Sequence, residues 1–311
     1  MFYSFAALSF ASLVAANTYS LESNIVGQQF LSSFSFNTFA DPTHGRVNYV
    51  DQPTAQAQNL TFASGNTFIM RADFTSTLNP SGPGRNSVRI QSNAQVENGV
   101  IAWDIRHMPE GCGTWPSAWT VAQVWPGEGE IDVIEGANNV GPNQSTLHTA
   151  PGCTMPSGLA MSGHPLGTNC DAVATGNVGC GVQNDAPNSF GPSFNANGGG
   201  VYAMERTPDF IKMWFWARND PSIPSDLASG ANAVNTVAWP APYALFPSTN
   251  CNINQFFGPH NIIFDLTLCG DWAGSTYPSS GCPGTCVDFV NNNPAGFVNA
   301  FWDIASLRIF Q

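Results

Sequence analysis

The stretch PGEGEIDVIEGANN, Pro126 to Asn139, carries Glu128, Glu130, Asp132 and Glu135 within eight residues, in a chain that is only 10% charged. Carboxylates held close together raise each other's pKa, which is unfavourable on a passive surface and useful in acid–base chemistry. Read as a strand, EIDVIE puts Glu130 and Asp132 on one face and Glu135, five positions after Glu130, on the other. One extra residue, a β-bulge near Val133 or Ile134, returns Glu135 to the first face. Glu130 and Glu135 then act as though four positions apart, with Cα atoms at most about 13 Å from each other. Inward-leaning side chains can bring their carboxyls to about 5–5.5 Å, the separation used in retaining glycoside hydrolysis. There one carboxylate attacks the anomeric carbon, and the other, its pKa raised, protonates the leaving oxygen. Asp132, between them, can hold the nucleophile or share a proton. Glu128 reads as a solvated loop acid, since Glu is rarely buried without a partner.

Directly upstream, GCGTWPSAWTVAQVW places Trp115, Trp119 and Trp125, three of the nine tryptophans, within eleven residues. Indole faces offer large, rigid contact area to the apolar faces of sugar rings. The charge balance fits such a ligand. Eight Arg and the single Lys212 face 21 acidic residues, for a formal net charge of -12. Nucleic acids and anionic membranes select basic patches, so neither is an expected partner. A neutral polysaccharide is. His44, His107, His164 and His260 lack metal-ligand spacing, so no metal site is assigned and no cofactor is expected; a structural Ca²⁺ on an acidic sandwich stays open, although no EF-hand-like string occurs.

The elements that must position these residues read as β-structure. Strand-like runs recur, among them NTFIMRADF, SVRIQS, GVIAWDIRHM, GEIDVIEG, STLHTA, NIIFDLTLCGDW and AFWDIASLRIF. GVYAMERT and FIKMWFWAR flank the short turn PD and read as a hairpin. Gly (30) and Pro (23) are spread throughout, and helical periodicity of useful length is absent, which indicates an all-β sandwich or barrel. The Gly-, Asn- and Ser-rich segment from Gly152 to Gly200 reads as a loop region stapled by cysteines.

The N-terminus has an apolar run from Phe5 to Ala16, with Val14 and Ala16 suited to a signal-peptidase site. Residues 1–16 are therefore expected to be a signal peptide, and 17–311 one catalytic domain. The eight cysteines (112, 153, 170, 180, 251, 269, 282 and 286) agree with secretion and up to four disulfides, with about 105 pairings open. Asn59-Leu-Thr and Asn143-Gln-Ser are sequons and are expected on exposed loops as N-glycan sites. Glu205 and Arg206 read as a structural ion pair or as simply exposed.

The run GCGTWPSAW…WPGEGEIDVIEGAN resembles glycoside hydrolase family 16, in particular the fungal laminarinase-type endo-β-1,3(4)-glucanases. The family pattern Glu-x-Asp-x-x-Glu after Gly-Thr-Trp-Pro-Ala-x-Trp is matched by Glu130-Ile-Asp132-Val-Ile-Glu135 after Gly113-Thr-Trp115-Pro-Ser117-Ala-Trp119, with Ser117 a mild departure. The likeness continues through DPTHGRVNYVDQ, STLHT, CGDWAG and the C-terminus, and so covers nearly the whole mature chain. The resemblance implies an all-β jelly-roll sandwich (concanavalin-like) with a concave substrate cleft. It implies retaining double displacement, with Glu130 as nucleophile, Glu135 as general acid/base and Asp132 as supporting carboxylate. It places Arg89, Trp119, Trp125, His148 and Trp272 along the cleft, beside the Trp115 indole already named, with Asn48 and Tyr49 near one end. The expected partner is a β-glucan and the expected state a monomer. A transglycosylase or a non-hydrolytic β-glucan-binding protein on the same scaffold is the alternative.

Overall fold

The computed structural model describes residues 18–311. The expected leader, residues 1–16, and the cleavage position at Asn17 lie outside the described residues. Two large antiparallel sheets pack face to face as a jelly-roll sandwich. One sheet has nine strands, with Phe301–Phe310, Gly99–His107 and Gly200–Arg206 adjacent in its middle. The other has eight. Its central strands, in spatial order, are Val140–His148, Glu130–Ala137, Thr114–Val121, His260–Leu268 and Arg89–Val96.

Period-two alternation builds the core between the sheets. The eight-stranded sheet sends in Ile90, Ala118, Ile131, Leu147, Ile262 and Phe264, and the nine-stranded sheet sends in Ile101, Trp103, Tyr202, Met204, Trp302 and Ile304. The nine-stranded sheet also hides its second face. Val100, Ala102, Val201, Ala203, Trp214 and Trp216 pack under Leu227, Val234 and Trp239. Its strands are therefore apolar on both sides, which is why GVIAWDIRHM and FIKMWFWAR alternate only partly. The acids lie on the opposite face of the eight-stranded sheet, turned away from the core between the sheets.

The expected hairpin is present. Gly200–Arg206 pairs with Phe210–Ala217, and the Thr207 hydroxyl accepts from the amides of Asp209 and Phe210 to close the turn. Among the described residues the longest helix is Cys286–Asn292, capped by Thr285, and no helix is long and apolar enough to cross a membrane. All eight cysteines pair, as 112–282, 153–251, 170–180 and 269–286. The Gly152–Gly200 segment holds three of these cysteines, and it also supplies the strand Cys180–Gln183 to the sheet beside Val140–His148.

Two expectations change. Asn59 is exposed, but Asn143 is fully buried in the Val140–His148 strand rather than on an exposed loop, so it is not an accessible glycan site. Glu205 and Arg206 are buried rather than exposed. Adjacent strand residues point to opposite faces, so each meets different partners. Glu205 accepts hydrogen bonds from the hydroxyls of Tyr19 and Thr236, and Arg206 donates to the carbonyls of Phe257 and Gly258.

Candidate active site

The strand Glu130–Ala137 contains the bulge that its spacing requires. Against Thr114–Val121, Asp132 sits opposite Trp119 while Ile134 sits opposite Ala118, so Val133 is the extra residue. Glu130, Asp132 and Glu135 therefore face Val121, Trp119 and Ser117, alternate residues of one strand and hence one side of the sheet. On the other flank they face His148, Thr146 and Gln144. Gly129 sets the entry to the strand. It has φ +83°, and a Cβ there would lie 2.4 Å from the Phe257 ring, so only glycine fits.

Each acid has its own surroundings. The Trp115 indole N–H donates to Glu135 Oε1 at 2.9 Å, with the Ser117 hydroxyl at 3.3 Å from the same oxygen. Asp132 is buried and lies 3.2 Å from His148 Nε2. Burial, then the neighbouring charge of Asp132, raises both Glu130 and Glu135 to about 8. Burial and Asp265 push Asp132 well above the ordinary carboxylate range. Glu130, Asp132 and His148 offer donor atoms within 4.8 Å of one another, a set that could in principle ligate a cation, although the His148–Asp132 contact already joins two of them.

Most of the sequence-derived site residues come together on this face. Arg89 stacks its guanidinium 4.8 Å from the Trp119 ring, and Trp119 donates its indole N–H to Asp265 at 2.8 Å. Tyr49 is buried and donates its hydroxyl to the other Asp265 oxygen. Trp272, on the helical turn Gly270–Gly274, stands edge-on to Trp115 with ring centroids 5.8 Å apart. The Asn138 amide links these parts by accepting from the Gly113 amide and donating to the Ala273 carbonyl. Trp125 is 47% exposed on the loop before Gly129. Asn48 is not brought to the acids. It neighbours Tyr49 in a strand, so it points the other way, and its amide donates to Asn86.

Asp265 was missed by the sequence reading. It carries a pKa raised to about 6 by burial, opposed by the Arg89 charge and the Trp119 hydrogen bond. A lone acid at the centre of the apolar run NIIFDLTL was the available signal.

These pKa values have a consequence for stability. A Glu whose pKa rises from 4.5 unfolded to about 8 folded binds a proton in the fold that the unfolded chain releases. Its favourable contribution is full below pH 4.5 and is lost as pH climbs to about 8. Glu130→Gln and Glu135→Gln remove that loss. Each should gain more in Tm over wild type at pH 8.5 than at pH 4, by about 10 °C or more, since a rise from 4.5 to about 8 is worth about 5 kcal/mol. Thermal melts at the two pH values measure it, and an equal difference at both would refute the assignment of a raised pKa.

Comparison with known proteins agrees with this geometry. Residues 34–310 match the model of the XgeA-like catalytic GH16 domain. A probable glycosidase of Schizosaccharomyces pombe is 46% identical over 95% of this chain and 70% of its own length. An endo-1,3(4)-beta-glucanase of Emericella nidulans is 40% identical over 96% of this chain, which spans 48% of that relative. Among solved structures, GH16 laminarinase 16A of Phanerochaete chrysosporium, with β-glucans in donor and acceptor sites, superposes with TM-score 0.93 at 58% identity, covering 94% of this chain and 100% of that one. An elongating GH family 16 beta-1,3-glucosyltransferase superposes with TM-score 0.88 at 39% identity, over the same shares of the two chains. The bulged acid strand thus lies inside a catalytic domain of known type, and the chain belongs to glycoside hydrolase family 16.

Proposed function

We propose that this protein is a secreted, endo-acting hydrolase of β-1,3- and mixed β-1,3/1,4-glucans working by retaining double displacement. The bulge at Val133 carries this reading, because it sets two glutamates and an aspartate on one sheet face. Glu130 is the nucleophile. Its carboxylate attacks the anomeric carbon, while Glu135 gives its proton to the departing glycosidic oxygen. Water, deprotonated by Glu135, then resolves the glycosyl–Glu130 ester. For attack, Glu130 passes its proton to Asp132, so the nucleophile ionises inside a buried acid cluster. On Glu135, Oε1 is held by Trp115 and Ser117, which leaves Oε2 to carry the proton. Trp115, Trp119, Trp125 and Trp272 offer faces to glucosyl rings, with Arg89, His148 and Tyr49 fixing the floor between them. Residues 1–16 act as the leader, Asn59 carries the glycan, and residues 17–311 work as one monomeric domain.

Laminarin digestion followed by proton NMR tests the reading. The expected first product is the β-anomer, with internal cleavage lowering chain length faster than glucose appears. First release of the α-anomer would overturn the retaining assignment, and inertness on laminarin and lichenan would overturn the substrate class. The likeness to an elongating glucosyltransferase favours a second activity in the same site, in which a sugar hydroxyl replaces water on the glycosyl ester. Longer products from laminari-oligosaccharides at high concentration would register it.

A further inference from the structure

The bulge exposes backbone groups that the ladder cannot satisfy. Between Asp132, opposite Thr146, and Glu135, opposite Gln144, two residues of the acid strand face the single Ser145. Buried backbone groups left unpaired there would be strongly unfavourable. Three side chains take the place of the ladder. The Asn143 amide accepts from the Glu135 backbone N–H at 3.0 Å and donates to the Val133 carbonyl at 2.9 Å. The Ser145 hydroxyl donates to the same carbonyl at 2.7 Å, and the Tyr243 hydroxyl lies 3.3 Å from it and 2.6 Å from Ser145 Oγ. Asn143 and Ser145 are fully buried and Tyr243 nearly so. Asn143 is itself anchored, its N–H donating to Ser189 Oγ and its carbonyl accepting from the Asn184 N–H.

We propose that Asn143 is a positioning residue for Glu135, clipping the two ends of the bulge together and so fixing where the Glu135 carboxyl sits relative to Glu130. This rests on Glu135 being the general acid/base. A side-chain amide suits the task, because its oxygen accepts at one end while its nitrogen donates at the other. The Asn-Gln-Ser sequon has a structural origin on this account. Its Asn and Ser are the clip and its support, and a glycan on Nδ2 would displace the donor to Val133.

The test separates acid positioning from general damage by leaving group. Asn143→Ala is compared with wild type and Glu135→Ala on laminarin and on 2,4-dinitrophenyl β-laminaribioside, whose departure needs no proton. The expected result for Asn143→Ala is a fall in kcat/KM of about 10–100-fold on laminarin, with the aryl glycoside changed by less than about threefold. An equal loss on both substrates would refute positioning. If Asn143→Ala fails to fold, Tyr243→Phe and Ser145→Ala carry the test. Each should show the same selectivity with a smaller laminarin loss, and unaltered selectivity in both would refute the clip. Glu135→Ala controls for the parent reading. If it too lacks leaving-group dependence, the acid/base assignment has failed; if it alone shows the dependence, only the clip has. Mass spectrometry of the secreted, active enzyme should find Asn143 unmodified, and a glycan there would also overturn the clip.

Discussion

Glu135→Ala should lower kcat on laminarin by about 10²–10⁴-fold, the usual worth of a general acid–base group. The loss should fall on both chemical steps, since the proposed mechanism has the same carboxyl protonate the leaving oxygen and later deprotonate water. An activated aryl β-laminaribioside separates the two. Its phenolate leaves unaided, so the glycosyl–Glu130 ester forms and then accumulates for want of a base. Azide needs no deprotonation. It attacks C1 from the β face, the C1–N bond forms as the C1–O bond to Glu130 breaks, and a β-glycosyl azide is released. Restored turnover with that product is the expected result. An α-azide would point to inversion, and near-normal activity in the variant would remove Glu135 from the mechanism. The pH dependence should follow. Glu135 must be protonated to act as an acid, so kcat/KM falls as pH rises toward about 8, and Glu135→Ala loses that limb.

How far this site was legible in the sequence depended on periodicity. The five-residue interval between Glu130 and Glu135 breaks the strand period, and a single bulge is the smallest repair. The interval therefore specified both the irregularity and the face it serves, and the register shift at Val133 matches it. What holds the bulge was not legible. Asn143 and Ser145 lie in the next strand, and Tyr243 lies 110 residues beyond Val133, so their meeting is a product of topology. As text, Asn143-Gln-Ser announces a surface glycan, and only burial shows otherwise. Asp265 was hidden for a related reason. Its strand reads as continuous core because nothing along the sequence tells which face of NIIFDLTL lies opposite Trp119. The sandwich itself was easier to read, since strand patterning and turn residues recur locally. Strand order and disulfide pairing were not, because both follow from contacts distant in sequence.

Glu130→Ala should be the more damaging change, lowering laminarin hydrolysis by about 10⁵–10⁶-fold, the scale seen when a hydrolase loses its covalent nucleophile. No ester can form, so azide cannot rescue it by the route open to Glu135→Ala. The vacated space suggests a positive test as well. An α-laminaribiosyl fluoride has the configuration of the missing ester, with fluoride where the Glu130 oxygen would stand. Glu135 remains to remove a proton from an acceptor sugar hydroxyl. The C1–F bond breaks, a β C1–O bond forms, and fluoride leaves with the electron pair. The product then persists, because the variant cannot hydrolyse it. Glu130→Ala should therefore lengthen oligosaccharides from the α-fluoride while remaining inert to laminarin, and the same fluoride with Glu135→Ala should give no such synthesis. The two variants thus separate the roles by opposite gains of function. If the synthesis appeared in Glu135→Ala instead, the nucleophile and the acid/base would have to be exchanged, although the bulge would still place both on the same face.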